Sequence, residues 1–183
     1  IVRAPVPGGQ LESVDPTPAD TMAGVHQVVQ LDDAVAVIAD GYWQAQQALD
    51  GLEPRFTDAG RGEVDTATIR ARHAAALDEE VLGEPPGGAR VVTAEYCVPY
   101  LSHATMEPMC ATAQLADGRL DVWCGTQDPL STRGVAAGVA DLDRDNVSIH
   151  NQQLGGGFGR RLPGTYDYVE QAVAVAKVSV ALV

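Results

Sequence analysis

The segment from Leu154 to Arg161 reads LGGGFGRR and constrains the fold of this chain more than any other. Glycine lacks a Cβ atom, so it adopts positive φ angles and lets another molecule approach the backbone closely. Each glycine inside a helix or strand costs about 0.5–1 kcal/mol, so this run predicts a loop rather than regular structure. Three roles are compatible with such a loop: binding of a phosphate, a tight turn, and contact with a large cofactor.

The spacing of the loop does not match two common nucleotide-binding motifs. The dinucleotide fingerprint GxGxxG, started at Gly155, requires a glycine where the chain has Arg160. A P-loop ends in Gly-Lys-Ser/Thr, whereas here the arginine pair Arg160 and Arg161 is followed by Leu162. The spacing argues against an NAD-linked hydride transferase or a P-loop enzyme, and it leaves the turn and the cofactor contact open.

Composition narrows the class of protein and of partner. With 183 residues, of which 45% are hydrophobic, the chain can bury one large core or two small ones. Its net charge of −13 argues against a nucleic-acid partner, because such contacts depend on Lys and Arg. We therefore expect a soluble globular protein, with the arginine pair of the loop as an isolated basic spot.

Cysteine and histidine spacing gives no metal motif. The three cysteines, Cys97, Cys110 and Cys124, form no CxxC pair and lie in apolar stretches, which predicts buried free thiols. The four histidines are too scattered for a zinc signature. We expect no metal ion held directly by protein side chains.

Hydrophobic periodicity predicts a first unit of mixed helices and strands, residues 1–82. Strands are expected at VHQVV from Val25 and at AVAVIAD from Ala34. A helix is expected over GYWQAQQALDGL, with Gly51 as its stop, and a second helix near Asp65. Asp65 is its predicted cap, with Thr66 as the alternative. The sequence GEPPGG, residues 83–88, disfavours helix and strand alike and predicts a domain junction.

The second unit, residues 83–183, is richer in strands. The alternation in RVVTAEYCVPYL predicts a strand, and ADG within MCATAQLADGRLDVWCGTQ predicts a hairpin turn. A helix from about Thr132 to Leu142, a strand from Asn146 to His150 and a helix from about Tyr166 to Val178 complete this unit. The chain lacks an initiator methionine and ends in VSVALV, which reads as the start of a strand, so we expect a fragment of a longer protein.

Three segments together resemble a known family. They are AEYCVPYLSHATMEPMCATA from Ala94, DVWCGTQDP from Asp121, and LGGGFGRR followed by DYVEQAV. In order and spacing they resemble the large, molybdopterin-binding subunit of the xanthine dehydrogenase and aldehyde oxidase family. The doubled arginine and the wording PYLSHATMEP resemble the branch of the isoquinoline 1-oxidoreductase beta subunits, which includes membrane-associated aldehyde dehydrogenase subunits.

The resemblance implies a fold, an activity and partners. The fold is α/β (α+β): a hammerhead-like domain over residues 1–82, then a truncated first part of a molybdopterin-binding domain over 83–183. The activity is that of a molybdenum hydroxylase, which oxidises an aldehyde or N-heterocycle with water-derived oxygen. Electrons pass to iron–sulfur clusters on a small partner subunit and, in some members, to a membrane cytochrome. The resemblance also implies a bacterial protein of the periplasm or membrane.

The resemblance assigns roles to particular residues. Gln127 matches the glutamine beside the molybdenum centre, although it could instead close a strand before Asp128 and Pro129. Phe158 and Gly159 match the loop whose backbone packs against the cofactor, although Phe158 could also be a core anchor. The full set of expected cofactor-binding residues is Gln127, Gly156, Gly157, Phe158, Gly159 and Arg160, with His103 and Glu107 as secondary candidates. For Glu107, a cap of a helix or turn is the alternative.

Two departures from the family limit what this chain can do alone. An acidic residue on the substrate side of the xanthine-oxidising branch is Leu162 here, which argues against purine substrates. The family's general base is a glutamate that the resemblance places beyond residue 183, so no catalytic residue is expected in this chain. The alternative from another class is a non-catalytic binding or assembly module that reuses the same fold.

Overall fold

Helices and strands alternate along the chain in a computed structural model, which describes residues 1–78, 83, 85–162 and 164–179. The strands are β1 Val2–Arg3, β2 Leu11–Ser13, β3 Val25–Gln30, β4 Ala34–Ala39, β5 Arg55–Phe56, β6 Ala111–Ala116, β7 Arg119–Cys124 and β8 Val147–Asn151. The helices are α1 Thr17–Asp20, α2 Tyr42–Leu52, α3 Thr66–Asp78, α4 Pro129–Ala140 and α5 Asp167–Val178, with a 3₁₀ turn at Arg144–Asn146. The mixed α/β architecture predicted from the sequence is confirmed.

A three-stranded antiparallel sheet in the order β1-β4-β3 organises the first unit. Its central strand β4 is an apolar run of branched residues and alanine, because one face packs on α2. The predicted strands at Val25 and Ala34 and the helix α2 are confirmed. The predicted stop at Gly51 is wrong, because the helix continues to Leu52 and Glu53, with a φ of +42°, terminates it. The core cluster here consists of Ala19, Val35, Ala48, Leu49 and Leu52.

Local hydrogen bonding fixes the start of helix α3. The Asp65 carboxylate accepts from the backbone N–H of Thr68 at 2.7 Å, which satisfies a donor that the helix itself leaves unpaired. The Thr68 hydroxyl also donates to this carboxylate at 2.7 Å, and the two hydrogen bonds, that of the hydroxyl first, lower the pKa of Asp65. The predicted cap is therefore confirmed.

A strand was predicted for RVVTAEYCVPYL, residues 90–101, and that prediction is wrong. The segment has no regular structure, and its large apolar side chains are exposed, including Val92, Tyr96 and Tyr100. Alternation shows which side chains can share a face, but a strand also needs a hydrogen-bonding partner. None of the described strands pairs with this segment.

Besides the two-stranded pair β2-β5, the described strands form another three-stranded sheet, in the order β6-β7-β8, which carries the candidate site at its end. β6 and β7 form the predicted hairpin, turning at Asp117 and Gly118, whose φ angles are +50° and +71°. β8 pairs with β7 in parallel, so the chain crosses over between them through α4. Helices α4 and α5 cover one face of the sheet. The main core cluster consists of Ala113, Leu120, Val122, Cys124, Ala136, Ala137, Ala140, Val147, Tyr168, Val169, Val173 and Ala176.

Helix α5 packs against both three-stranded sheets. Val175 belongs to a small buried cluster with Val29 of β3 and Ala36 of β4. The side chain of Gln27 donates to the carbonyl of Val178 at 3.2 Å. The predicted junction after residue 82 adjoins residues 79–82 and 84, and the predicted strand start in VSVALV includes residues 180–183; these lie outside the described residues. No helix in the described part of the chain is long and apolar enough to cross a membrane.

Candidate functional site

Gln127 lies in the short turn between β7 and α4, and the turn is held by threonine and aspartate. The hydroxyl groups of Thr126 and Thr132, both buried, lie 3.0 Å apart. Asp128 caps α4 by accepting from the backbone N–H of Ser131 at 3.0 Å. The hydrogen bonds with Ser131 lower the pKa of Asp128, so its carboxylate stays charged at neutral pH. The backbone around Gln127 is thus fixed on both sides.

The glycine-rich loop follows β8 and contains three backbone conformations that disfavour ordinary residues. Gly156 and Gly159 have φ angles of +96° and +93°, which glycine adopts without steric cost. Phe158 has a φ of +47° and its side chain is 75% exposed. A strained, exposed aromatic residue is not a core anchor, and backbone strain of this kind is concentrated at functional sites.

Gln127 and the glycine-rich loop line one cavity of about 270 Å³. The sequence placed them some thirty residues apart, and the fold brings them together because the carboxyl ends of the parallel strands β7 and β8 meet at one edge of the sheet. Gly156, Gly157, Phe158 and Gly159 make no backbone N–H hydrogen bond to any described residue. The lining consists of Gln127, Leu154, Gly156, Gly157, Phe158, Gly159, Arg161 and Leu162.

Arg160 does not line this cavity. Its guanidinium Nη2 donates to both carboxylate oxygens of Asp167 at 2.7 Å, and Arg3 pairs with the same carboxylate. Burial raises the pKa of Asp167, but the hydrogen bonds from Arg160 and Arg3 outweigh it, and the net effect is a lowered pKa. Arg160 therefore fastens the loop to helix α5, and its expected contact with a cofactor stays a prediction.

The secondary candidates Glu107 and His103 support the loop from outside the cavity. Glu107 Oε2 accepts from the backbone N–H of Gly155 at 2.5 Å. The imidazole of His103 lies against Gly159, where an added Cβ would stand 3.5 Å from its Cδ2 atom. The predicted cap role of Glu107 is close to what the structure shows, because its carboxylate satisfies a backbone donor of the loop.

Arg161 is the residue that sequence reasoning missed. Only 1% of it is exposed, and it donates from Nε to the carbonyl of Gly156 at 3.1 Å and from Nη1 to the carbonyl of Gly125 at 2.8 Å. Nη2 lies 2.9 Å from Glu107 Oε2, an ion pair without the alignment of a hydrogen bond. Adjacent arginines look equivalent in a sequence, so no local pattern distinguishes Arg161 from Arg160.

Burial near the cavity raises the pKa of two ionisable groups, Tyr168 and Cys124. The Tyr168 hydroxyl donates to the carbonyl of Gly125 at 3.1 Å, and burial raises its pKa. Burial raises the pKa of the Cys124 thiol to about 11, against a smaller opposing effect of Arg161. All three cysteines are free, but Cys97 and Cys110 are exposed, so the prediction of buried thiols is correct only for Cys124. Their segment, residues 97–110, lacks the strand partner that would cover them.

A metal site and a second, larger cavity are weaker candidates for the functional site. Among the residues that the structure describes, no group of three or more His, Cys, Asp or Glu side chains could hold a metal ion. A larger cavity of about 410 Å³ lies where β4 and α2 face β6 and α5. Its lining is mostly apolar and includes none of the predicted site residues, so we take the smaller cavity as the candidate site.

A family model described as the molybdopterin cofactor-binding domain matches residues 86–181, more than half of the chain. The chain belongs to this family. The matched range includes Gln127, the glycine-rich loop, and the residues Glu107 and His103 that support the loop.

Curated relatives agree with this membership. The chain is 31% identical over 90% of its length to the beta subunit of isoquinoline 1-oxidoreductase from Brevundimonas diminuta, and 28% identical over 84% of its length to a nicotinate dehydrogenase subunit from Pseudomonas putida. It is 27% identical over 87% of its length to a membrane-bound aldehyde dehydrogenase of Gluconacetobacter polyoxogenes. It spans only 24%, 14% and 23% of these three relatives.

Solved structures show the same fold. Quinoline 2-oxidoreductase from Pseudomonas putida 86 matches with a TM-score of 0.66 at 16% identity, over 96% of this chain and 29% of that one. A copper- and molybdenum-containing CO dehydrogenase matches with a TM-score of 0.66 at 17% identity, also over 96% and 29%. At these identities the likeness concerns the fold alone.

The residues around the cavity fit one end of a molybdopterin. A volume of about 270 Å³ is near the lower limit of ligand pockets, roughly 300–1,000 Å³, so it suits part of a large cofactor rather than all of it. The unpaired backbone N–H groups from Gly156 to Gly159 and the Gln127 amide are donors without charge, suited to oxygen acceptors. The chain therefore presents a partial cradle of donors.

Proposed function

We propose that this chain is the N-terminal part of a molybdenum hydroxylase large subunit, which oxidises an aldehyde or N-heterocycle with oxygen derived from water. Residues 1–82 form its hammerhead-like domain, and residues 83–183 begin its cofactor-binding domain. Electrons leave through iron–sulfur clusters on a small partner subunit. The observation that carries the proposal is the cavity that joins Gln127 to Gly156–Gly159.

In this proposal the chain holds and orients the cofactor. The Gln127 side-chain amide donates to an oxygen of the cofactor without adding charge, and its turn is fixed by the Thr126 and Thr132 hydroxyls. The N–H groups of Phe158 and Gly159 contribute further donors at close range, because Gly159 has no side chain to keep the cofactor away. Donors held rigidly in this way stabilise developing charge without reorganising.

The bound cofactor supplies the two-electron redox chemistry, and the protein supplies orientation and electrostatics. A general base is still required, and Glu107 is unsuited to that role because its carboxylate is engaged by Gly155 and Arg161. We therefore place the base in a segment beyond residue 183 and expect this chain alone to be inactive. The relatives from Brevundimonas and Pseudomonas are each named as one subunit of an enzyme, which supports a partner in the working enzyme.

The proposal is tested on the complete gene product. We expect the full-length protein, purified with its partner subunit, to contain about one molybdenum per large subunit and to reduce a dye with aldehydes or N-heterocycles. Elemental analysis and dye reduction measure the two properties. A protein without stoichiometric molybdenum and without dye reduction would contradict the proposal.

The role of Gln127 has its own test in that enzyme. Gln127→Ala should lower kcat about 100- to 1,000-fold, the effect of removing one preorganised donor, and should leave the melting temperature unchanged within error. Gln114→Ala is the matched control, because Gln114 is exposed on β6 and does not line the cavity. If both variants turned over at the wild-type rate, Gln127 would have only a structural role.

A binding or assembly module without catalysis is the second candidate. The exposed apolar side chains along residues 91–106, among them Val92, Tyr96 and Leu101, favour it, because exposed apolar surface of this extent is typical of interfaces. The gene distinguishes the two candidates: a stop codon directly after Val183 supports the module, and an open reading frame that continues for hundreds of codons supports the hydroxylase large chain.

A further inference from the structure

The buried guanidinium of Arg161 contacts three segments that are far apart in the chain. One is the end of strand β7, through the carbonyl of Gly125 at 2.8 Å. Another is the glycine-rich loop, through the carbonyl of Gly156 at 3.1 Å. The third is the segment before β6, through Glu107 Oε2 at 2.9 Å. No sequence motif or similarity assigns a role to these contacts.

Both contacted carbonyls belong to residues that line the cavity or lie close to its lining in the chain. Gly125 precedes Gln127 by two residues, and Gly156 precedes Phe158 by two residues. A shift of the guanidinium therefore moves both walls of the cavity, the turn with Gln127 and the loop with Phe158. The space for such a shift is small, because an added Cβ on Gly125 would stand 3.1 Å from Arg161 Nη1.

The positive charge of the buried Arg161 makes the position of its guanidinium dependent on Glu107. A buried guanidinium without a partner is strongly unfavourable, and removal of one partner of a buried pair costs far more than an exposed pair contributes. Glu107 neutralises Arg161 and also accepts from Gly155 N–H at 2.5 Å, so one carboxylate holds the arginine and the first residue of the glycine run. Hydrogen bonds to a charged acceptor are roughly twice as strong as neutral ones.

We infer that Arg161 and Glu107 are positioning residues, a charged clamp that sets the distance between Gln127 and the glycine-rich loop and so preforms the cavity before any cofactor binds. The functional consequence rests on the proposed function, because the preformed cavity is where we place the cofactor. The clamp itself is a property of the chain alone. The clamp and the proposed function can therefore be refuted independently of each other.

The experiment compares two carboxylate-to-amide variants of the 183-residue chain by ¹⁵N NMR. Glu107→Gln keeps the shape of the side chain and an acceptor for Gly155 but removes the charge opposite Arg161. Asp141→Asn is the matched control, because it removes the charge from the Asp141–Lys177 pair, whose carboxylate is 83% exposed. Circular dichroism establishes that each variant is folded.

For Glu107→Gln we expect amide exchange at Gly155 to accelerate about tenfold, since a neutral acceptor replaces a charged one. We also expect shifted signals from the Gln127 side-chain amide and from the backbone of Phe158, neither of which touches Glu107. The control should leave all of these signals unchanged. Signal changes confined to residues 102–108 and Gly155 would overturn the inference, because the clamp would then not reach Gln127.

Arg161→Lys is the second variant and carries the test if Glu107→Gln does not fold. Lysine keeps the charge but cannot contact the carbonyls of Gly125 and Gly156 simultaneously in the planar arrangement of arginine. We expect slow exchange at Gly155 to persist while the Gln127 signals shift. Unchanged Gln127 signals would refute the clamp, whereas a complete enzyme without molybdenum, despite a working clamp, would refute the proposed function instead.

Discussion

At Gly155 the absence of a side chain determines how closely the glycine-rich loop approaches Glu107. An added Cβ would stand 2.6 Å from the Glu107 Cβ atom, a separation that forces the backbone to shift. We expect Gly155→Ala to lower the free energy of unfolding by about 1–3 kcal/mol, the usual cost of overpacking. Urea denaturation followed by circular dichroism measures the change.

The matched control is Gly138→Ala within α4. No atom lies within 4 Å of a Cβ added there, and alanine in a helix is favoured over glycine by about 0.5–1 kcal/mol. The two glycine-to-alanine changes should therefore have opposite signs. A stabilising effect at Gly155 would show that the loop does not approach Glu107 in solution.

The three cysteines should differ in reactivity because only one of them is buried. The pKa of Cys124, raised by burial to about 11, leaves almost no thiolate at about pH 8, whereas Cys97 and Cys110 are accessible. We expect a disulfide reagent to label two thiols rapidly in the folded chain and the third only after unfolding. Cys124→Ala should keep the two rapid thiols and lose the third, and a third rapid thiol in the wild type would contradict the structure.

At the scale of single elements, the sequence predicts what local interactions decide. The hairpin β6–β7 was predictable because the turn residues Asp117 and Gly118 accept positive φ, and α3 because Asp65 caps it. The strand predicted over residues 90–101 failed because alternation does not reveal whether a partner strand exists. The local sequence pattern therefore predicted those elements that are stabilised by contacts between residues close together in the chain.

The residues of the candidate site also divide into those that the sequence predicts and those that it does not. Gly156 to Gly159 and Gln127 were predictable because their residue types and their family resemblance are visible in the sequence, and the structure brings them to one cavity. The opposite orientations of Arg160, toward Asp167, and Arg161, toward Glu107, were not. Those orientations depend on contacts across seven and more than fifty residues, which no local spacing encodes.

Helix α4 depends on a pair of buried hydroxyl groups at its first turn. Thr132 donates to the carbonyl of Asp128 at 2.7 Å and lies 3.0 Å from the Thr126 hydroxyl. We expect Thr132→Val to lower the free energy of unfolding by about 1–3 kcal/mol, because the buried Thr126 hydroxyl loses a partner. Denaturant titration measures this, and Ser131→Ala, a change at the exposed neighbour, should stay within about 0.5 kcal/mol of the wild type. Equal effects of the two changes would contradict the buried pair.

At the scale of the whole molecule, helix α5 and the residues at its start hold three parts of the chain together. Asp167 receives Arg160 from the glycine-rich loop and Arg3 from β1, while Val175 packs on β3 and β4. The site loop and the first sheet are thus attached to the same helix. Changes at Asp167 should therefore affect both units, whereas changes at an isolated surface pair should not.

This attachment predicts a pH-dependent difference in stability between the wild type and Asp167→Asn. Despite the opposing effect of burial, hydrogen bonds from Arg160 and Arg3 hold the pKa of Asp167 below its ordinary 3.8, so folding favours the charged carboxylate. The stabilisation is fully present above pH 3.8 and is lost as the pH falls through the lowered pKa of the folded state. We expect Asp167→Asn to be less stable by about 1 kcal/mol at about pH 7, allowing for partial exposure, and the difference to disappear in acid. Thermal unfolding at a series of pH values measures this difference in stability.

Asp145→Asn is the control, because Asp145 is a fully exposed partner of Arg133, and this variant should show no pH-dependent difference from the wild type. If the stability difference for Asp167→Asn were the same at all pH values, the packing of Asp167 rather than its charge would matter.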